Sequence, residues 1–351
     1  MNQRIAGHAD IFHAGGTLRV RETASFLASV AETWDGFDLG CETTEAGALV
    51  LMAGIGTIEL LPGAGHVEIR ISGPNEGALF MLRETVEAVV GTVEPGSVAD
   101  LDWSGTARHG ALPPNFRLAR IEDVAPIGKR FWRLTIRARD LAAFARDGLH
   151  LRLALPARGM PARWPVLNGT GRAEWPPADR LHVAVYTIRE IDPAAGIIVI
   201  DIFRHAGGRT SDWMELAQPG EIVGLLGPGG GWFPEVAHLV LAGDETALPA
   251  IARMLEAAGP ETTGTAILEM ENRGDYPLPA VPQGVDLRVV ERSAGEGIEA
   301  ALGEADLGPE GARHVWVAVE KGRAAAIRAH LRVRRGLGRR ESCVSGYWSR
   351  D

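Results

Sequence analysis

The sequence predicts a multidomain protein: a small α+β N-terminal domain, then a Greek-key antiparallel β-barrel, then a doubly wound α/β domain. Three observations carry this. Residues 1–110 hold 15 Asp/Glu and 6 Arg, a net −9, whereas residues 111–351 hold 30 of each sign. From 117 to 227 one β-rich run follows another, and Ile197-Ile198-Val199-Ile200-Asp201-Ile202 is strongly β-branched. Beyond 238, apolar strand patterns alternate with helical ones. The expected divisions are 1–105, 115–235 and 236–351, with Ser104-Gly105-Thr106 and Pro113-Pro114 at the first junction.

Bulk composition narrows the function classes. The chain has 351 residues, 46% hydrophobic and 23% charged, as in ordinary globular proteins. It has no apolar run of about 18 residues, so no membrane span is expected. Met1-Asn2-Gln3-Arg4-Ile5-Ala6 lacks an apolar signal core, which points to the cytoplasm. Cys41 and Cys343 lie far apart and fit no metal spacing, which argues against a disulfide framework, an iron–sulfur cluster and a bound metal. Lys129 and Lys321 are the only lysines, and no basic field points to nucleic acid.

In the acidic third, residues 23–32 repeat with a helical period through Ala24, Phe26, Leu27, Val30 and Ala31. Strands are expected at 35–41, 47–53, 56–61 and 65–71. A second helix then starts at Gly73-Pro74-Asn75-Glu76 and buries Leu79, Met81, Leu82, Val86 and Val89. His8, His13 and His66 share no helical or hairpin spacing, so they read as surface or core residues. This third shows no chemistry of its own.

The barrel strands are expected at 117–124, 130–139, 149–155, 181–190, 196–204 and 221–226. The fourth ends Val185-Tyr186-Thr187-Ile188-Arg189-Glu190. Strand alternation puts Tyr186 and Ile188 on one face and Thr187 and Arg189 on the other, and twist lets all border one groove. A ring face, a hydroxyl and a guanidinium fork suit a flat anionic cofactor, although a plain barrel strand uses the same residue types. His205-Ala206-Gly207-Gly208-Arg209-Thr210-Ser211-Asp212-Trp213 follows. Small residues there lead into a helix over 210–217 capped by Thr210 or Ser211, a pyrophosphate cradle or simply a turn of the chain. Trp213 packs in the core or lies against an adenine. Gly227-Pro228-Gly229-Gly230-Gly231-Trp232 implies either a close backbone approach or a hinge.

The last third opens with a strand at 238–242 and Gly243-Asp244-Glu245-Thr246-Ala247-Leu248-Pro249-Ala250. Pro249 fits the first turn of a helix whose buried stripe is Ala250, Ile251, Met254 and Leu255. Strands at 265–270, 285–290 and 314–319 and helices at 297–305 and 322–333 complete the unit. Its ligand crevice is expected at the strand C-termini, beside Asp244–Thr246 and Glu320-Lys321. No G-x-G-x-x-G follows a strand here. Arg332, Arg334, Arg335, Arg339 and Arg340 form either a solvated face or an anion site. Tyr347-Trp348 either anchors the core or stacks on a cofactor.

Four motifs resemble the siderophore-interacting protein family of FAD-dependent ferric-siderophore reductases, which have a ferredoxin-reductase-type architecture. They are Tyr186-Thr187-x-Arg189, His205-x-Gly207-Gly208 with Trp213, Ala242 through Ala250, and Gly346-Tyr347-Trp348. Together they span about 117–351, and the first third resembles a domain often fused ahead of that family. The resemblance implies FAD as cofactor and NADPH or NADH as electron donor. Tyr186 would stack on the isoalloxazine, Thr187 would bond its polar edge, and Arg189 would neutralise the pyrophosphate. His205, Gly207, Gly208, Thr210, Ser211 and Trp213 would hold phosphates, ribose and adenine. Asp244, Glu245, Thr246, Ala247 and Pro249 would border the nicotinamide nucleotide, and Tyr347-Trp348 would cover the flavin. Arg152 and Lys321 would bind an anionic ferric siderophore. Where the family commonly has an arginine, two residues before the tyrosine, this chain has Ala184; where it often has glycine before Glu320, this chain has Val319.

The expected reaction takes hydride from the nicotinamide to FAD and passes electrons singly to chelated Fe(III), which is released as Fe(II). No protein acid–base dyad is required, and a monomer without nucleic-acid partners is expected. The alternatives are a general NAD(P)H–flavin oxidoreductase with another acceptor, or a non-catalytic siderophore-binding protein.

Overall fold

The computed structural model describes residues 11–36, 39–104, 108–146, 148–230, 235–292 and 297–349. The readings placed on Met1–Ala6, His8, Gly105-Thr106 and Gly231-Trp232 lie outside the described residues. The chain divides into two compact units, Met1–Arg117 with Ala162–Leu181, and Leu118–Pro161 with His182–Asp351.

In the first unit come β1 (Phe12–Arg19), α1 (Thr23–Gly36), β2 (Cys41–Thr43), β3 (Leu49–Ala53), β4 (Gly56–Gly63), β5 (His66–Gly73), α2 (Glu76–Val93) and β6 (Asp102–Trp103). The sheet runs β2-β3-β4-β5-β1-β6. Phe26, Leu27, Val30 and Trp34 of α1 and Leu82, Val86, Val89 and Val90 of α2 pack on Leu18, Ile58, Leu60, Val67, Ile69 and Ile71. Asn75 caps α2 by accepting from the Ala78 amide at 2.9 Å. The expected strand at 35–41 is corrected: α1 continues to Gly36 because Trp34, 1% exposed, belongs to the core. β1 was not foreseen. Its Ala14-Gly15-Gly16 stretch carries no β-branched signal, yet Gly16 is needed because a Cβ there would stand 2.9 Å from the Trp103 ring.

The second unit opens with β7 (Phe116–Ile127), β8 (Phe131–Arg137), α3 (Ala142–Arg146) and β9 (Gly148–Pro156). The connection that follows carries β10 (Val166–Leu167) and β11 (Ala173–Glu174) and belongs with the first unit. There, Trp164 and Trp175 pack on Phe116 with ring centroids 5.8 and 6.4 Å away. Next come β12 (Leu181–Thr187), β13 (Glu190–Asp192), β14 (Ile197–Phe203), α4 (Arg209–Glu215) and β15 (Ile222–Gly230). The seven-stranded order β12-β9-β15-β7-β8-β14-β13 places β12 and β13 at opposite edges. Only Ile188 and Arg189 separate these two strands in the chain, so the sheet curls until its edges meet. Ile121, Leu134, Ile136, Leu151, Leu153, Ile198, Ile200, Ile202 and Leu225 fill it.

The remaining elements are β16 (His238–Gly243), α5 (Leu248–Ala257), β17 (Thr263–Met270), β18 (Gly284–Glu291), α6 (Ile298–Glu304), β19 (Arg313–Glu320), α7 (Lys321–Ala329) and β20 (Ser342–Trp348). They form a parallel sheet in the order β18-β17-β16-β19-β20. α5 covers one face and shares a core with Phe131 and Leu149 of the barrel. α6 and α7 cover the other. The winding reverses at β16, between β17 and β19, and sheets of this kind hold ligands at such a switch point. The chain end, for which no strand was expected, is the edge strand β20, with Ser342 and Val344 buried and Cys343 exposed. No helix among the described residues is long and apolar enough to cross a membrane.

Candidate functional site

At the C-terminal end of β16, the Asp244 carboxylate accepts from the Thr246 amide and hydroxyl at 3.0 and 2.6 Å and from the Trp348 indole at 2.8 Å. Burial pushes this carboxyl upward in pKa, against the pull of those bonds. Two strands of the sheet are thereby joined at their ends. Glu245 is buried in the fork of Arg292, and its Oε1 takes the Glu271 amide at 3.0 Å. Glu269, 2% exposed, holds Arg323 at 2.7 and 2.8 Å, and Arg323 also reaches Glu299 at 2.7 Å. Ala247 and Pro249 are buried at the start of α5, with Pro249 in the first turn as expected.

The barrel supplies the opposite wall. Burial pushes the Tyr186 phenol up to about 12, against its hydrogen bond to Thr210. Thr210, 6% exposed, also meets His182 Nε2 at 2.9 Å. Thr187 is buried and hydrogen-bonds Tyr347, whose ring stands edge-on to Trp316 at 5.9 Å. The clamp and the C-terminal aromatics thus meet across the two walls, while Trp348 and Asp244 join two strands within the parallel sheet. Gly346 fits because a Cβ there would stand 2.9 Å from the Lys321 Cα.

Several expectations are corrected. Thr210 and Ser211 do not cap α4, whose cap is Gly208; Ser211 Oγ instead accepts from the His205 amide at 3.1 Å. Of the two readings of Trp213, the structure shows the packed one, with its N–H on the Pro156 carbonyl at 2.9 Å and Arg158 4.2 Å above its ring. The close approach at Gly229-Gly230 is to His150, whose ring lies 2.7 and 2.2 Å from where a Cβ would be. Burial there lowers the His150 pKa to about 4, helped by Arg152. The fourth barrel strand breaks after Thr187, and the Arg189 amide then bonds Val199. The Arg189 fork grips Glu256 of α5 at 2.7 and 2.5 Å, with Asp201 4.0 Å away. Burial is the largest influence and opposes its charge, but Glu256 and Tyr276 together outweigh burial and raise the pKa. A phosphate reaching this fork has to displace Glu256, which is 42% exposed. Arg152 lies exposed on β9 and Lys321 exposed at the start of α7, on different elements. Within the basic cluster, Arg335 serves the chain itself, donating to the carbonyls of Gly303 and Ala305 at the C-terminal end of α6.

Other site residues escaped sequence reasoning. Asp201 is buried between Arg133, at 2.8 Å twice, and the Tyr276 hydroxyl at 2.6 Å. Arg253 of α5 donates to the Gly148 and Leu149 carbonyls at 3.2 and 3.1 Å, and burial lowers its pKa to about 10. These pairings tie α5 and the loop before β18 to the barrel and have no local sequence signature. His182 had one: it shares the strand face of Tyr186.

Comparison with known proteins accounts for this geometry. Residues 120–232 match the siderophore-interacting FAD-binding domain, and 236–351 match the siderophore-interacting protein model. An uncharacterised protein of Mycobacterium tuberculosis is 35% identical over 207 residues, 51% of this chain and 69% of the relative. The chain belongs to the siderophore-interacting protein family. Ferric vibriobactin reductase ViuB of Vibrio cholerae is 28% identical over 237 residues, 64% of this chain and 86% of ViuB. The crystal structure of a siderophore utilization protein from T. fusca superposes with a TM-score of 0.60 at 31% identity, covering 67% of this chain and 93% of that one.

The residues of this siderophore-interacting protein fit a flavin dinucleotide. Gly207 has φ +74° and nothing within 4 Å of where its Cβ would be. Beside it stand donors suited to phosphate, namely His182, Arg209 and Thr210. Arg189 Nε is buried without a hydrogen-bond partner. Tyr186 offers a ring next to the Thr187 hydroxyl.

Proposed function

We propose that this protein is a cytoplasmic flavoenzyme that reduces ferric siderophores, with NADH or NADPH as donor and Fe(II) as the released product. The observation that carries the reading is the junction of the two walls: Thr187 bonds Tyr347, and the adjacent Trp348 bonds Asp244 at the sheet's switch point. Ferric vibriobactin reductase among the relatives supports the substrate class.

Tyr186 would present its ring to the isoalloxazine. Thr187 can keep its bond to Tyr347 and still engage the flavin edge, because a hydroxyl has one proton and two lone pairs. The His205–Ser211 loop would hold the phosphates, and Arg189 would join them by exchanging Glu256. Asp244, Glu245, Thr246, Ala247 and Pro249 would border the nicotinamide, and Tyr347 and Trp348 would exclude water above the ring. Arg152 and Lys321 would draw in the anionic ferric chelate by charge. Bound FAD supplies the conversion of a two-electron donor into single-electron steps. Fe(II) fits hard oxygen ligands less well than Fe(III), so reduction frees the metal. The protein's part is orientation and electrostatics, and no side chain needs to move a proton.

The test is an absorbance spectrum of the purified chain with added FAD, then anaerobic NADH and NADPH titration, then a ferric siderophore with an Fe(II) chelator. A yellow protein bleached by the donor and reoxidised with Fe(II) appearing is the expected result. A colourless protein that takes up no FAD defeats the reading.

A further inference from the structure

We propose that His182 binds a phosphate of the flavin dinucleotide, a role resting on the flavin reading above. Alternation along β12 puts His182, Ala184 and Tyr186 on one face, and all three are half-buried. Ala184, between them on that face, is small. His182 Nε2 lies 2.9 Å from Thr210 Oγ1, and the same hydroxyl bonds Tyr186. One imidazole, one hydroxyl and one phenol therefore converge. Arg209 adds a positive charge close enough to lower the His182 pKa, behind the larger effect of burial. Gly207, with open space at its Cβ position, lies on the same loop. An anion entering there meets the imidazole, the hydroxyl and a guanidinium, a donor set suited to a phosphodiester. Imidazole also gains a proton readily beside an anion. If His182 instead only ties β12 to α4, its loss disturbs the ring site and the phosphate site together.

That difference decides the experiment. Dissociation constants of the full-length chain for FAD and for riboflavin, which has no phosphate, are measured by fluorescence quenching. His182→Ala weakens FAD by about tenfold or more and changes riboflavin by less than about twofold. Adding Ala184→Arg to His182→Ala restores FAD affinity, because a cation returns to the same strand face. Should His182→Ala fail to fold, His182→Gln carries the test, with a severalfold loss for FAD and none for riboflavin. Equal losses for both flavins, or no loss for either, overturn the role of His182 and leave the flavin reading standing. A wild-type chain that takes up neither flavin overturns both.

Discussion

On the barrel wall, His182, Thr210 and Tyr186 are linked by neutral hydrogen bonds and Thr187 makes another to Tyr347 of β20, whereas on the parallel-sheet wall Glu245, Arg292, Glu269, Arg323 and Glu299 alternate as ion pairs. Neutral bonds of about 1 kcal/mol can be exchanged for a ligand's at little cost. A buried carboxylate between two guanidiniums cannot, because removing one partner leaves an uncompensated charge. In the proposed function, the first wall is the one that trades partners with a cofactor. The second keeps the ends of β16, β17 and β18 in register with α6 and α7.

The largest expected effect breaks the second wall. Glu269→Ala leaves Arg292 and Arg323 facing each other and lowers stability by about 3–5 kcal/mol, read as a fall in melting temperature. An unchanged melt would show that the ion chain is only a surface feature. Next, Arg189→Ala lowers FAD affinity about tenfold or more and also the melting temperature, since Glu256 loses its partner. Arg152→Ala leaves FAD binding alone and raises the apparent KM for an anionic ferric siderophore; equal effects from the two variants contradict the assigned roles. Trp348→Phe removes one bond to Asp244 and is expected to cost about 1 kcal/mol. A larger loss would mean the indole anchors β20 as a whole.

The smallest effect is a pH response that separates the walls. Burial is the largest influence on Glu269 and raises its pKa, but Arg323, the Ile298 amide and Arg292 together outweigh it; for Glu299 the same Arg323 is the leading influence. Both carboxyls are held below the ordinary glutamate value. Their contribution is therefore complete above the unfolded pKa of about 4.3 and is lost as pH falls through the lower folded values. Melting of the wild type should decline on acidification in that range, with a shallower decline in Glu299→Gln. The Tyr186–Thr210 bond stays intact there, since the Tyr186 phenol keeps its proton up to about 12.

Much of this molecule was legible in residue order. β-Branched runs placed the barrel strands because strand preference acts on neighbours along the chain. The Asp244–Pro249 turn and the stripe of Ile251, Met254 and Leu255 announced α5, since capping and helical period are local too. Tyr186, Thr187, Tyr347 and Trp348 stood out by type. Their connection did not, because it joins residues more than 150 positions apart. β1 and β20 were missed since glycine and serine weaken the strand signal, and pairing with β5 and β19 makes them strands.

The sequence by itself determined most of the barrel strands, the helix α5 and which side chains could serve a flavin by type, because those depend on nearest neighbours and chemical type. Only the tertiary structure decided the partners: Glu256 for Arg189, Thr210 for His182 and Asp201 for Tyr276. With 36 basic and 45 acidic residues, composition allows far too many pairings to choose among. Closing the barrel against α5 and ending the parallel strands along one edge bring a few within reach. Burial then makes those few matter, because a charge removed from water must find its partner in the fold.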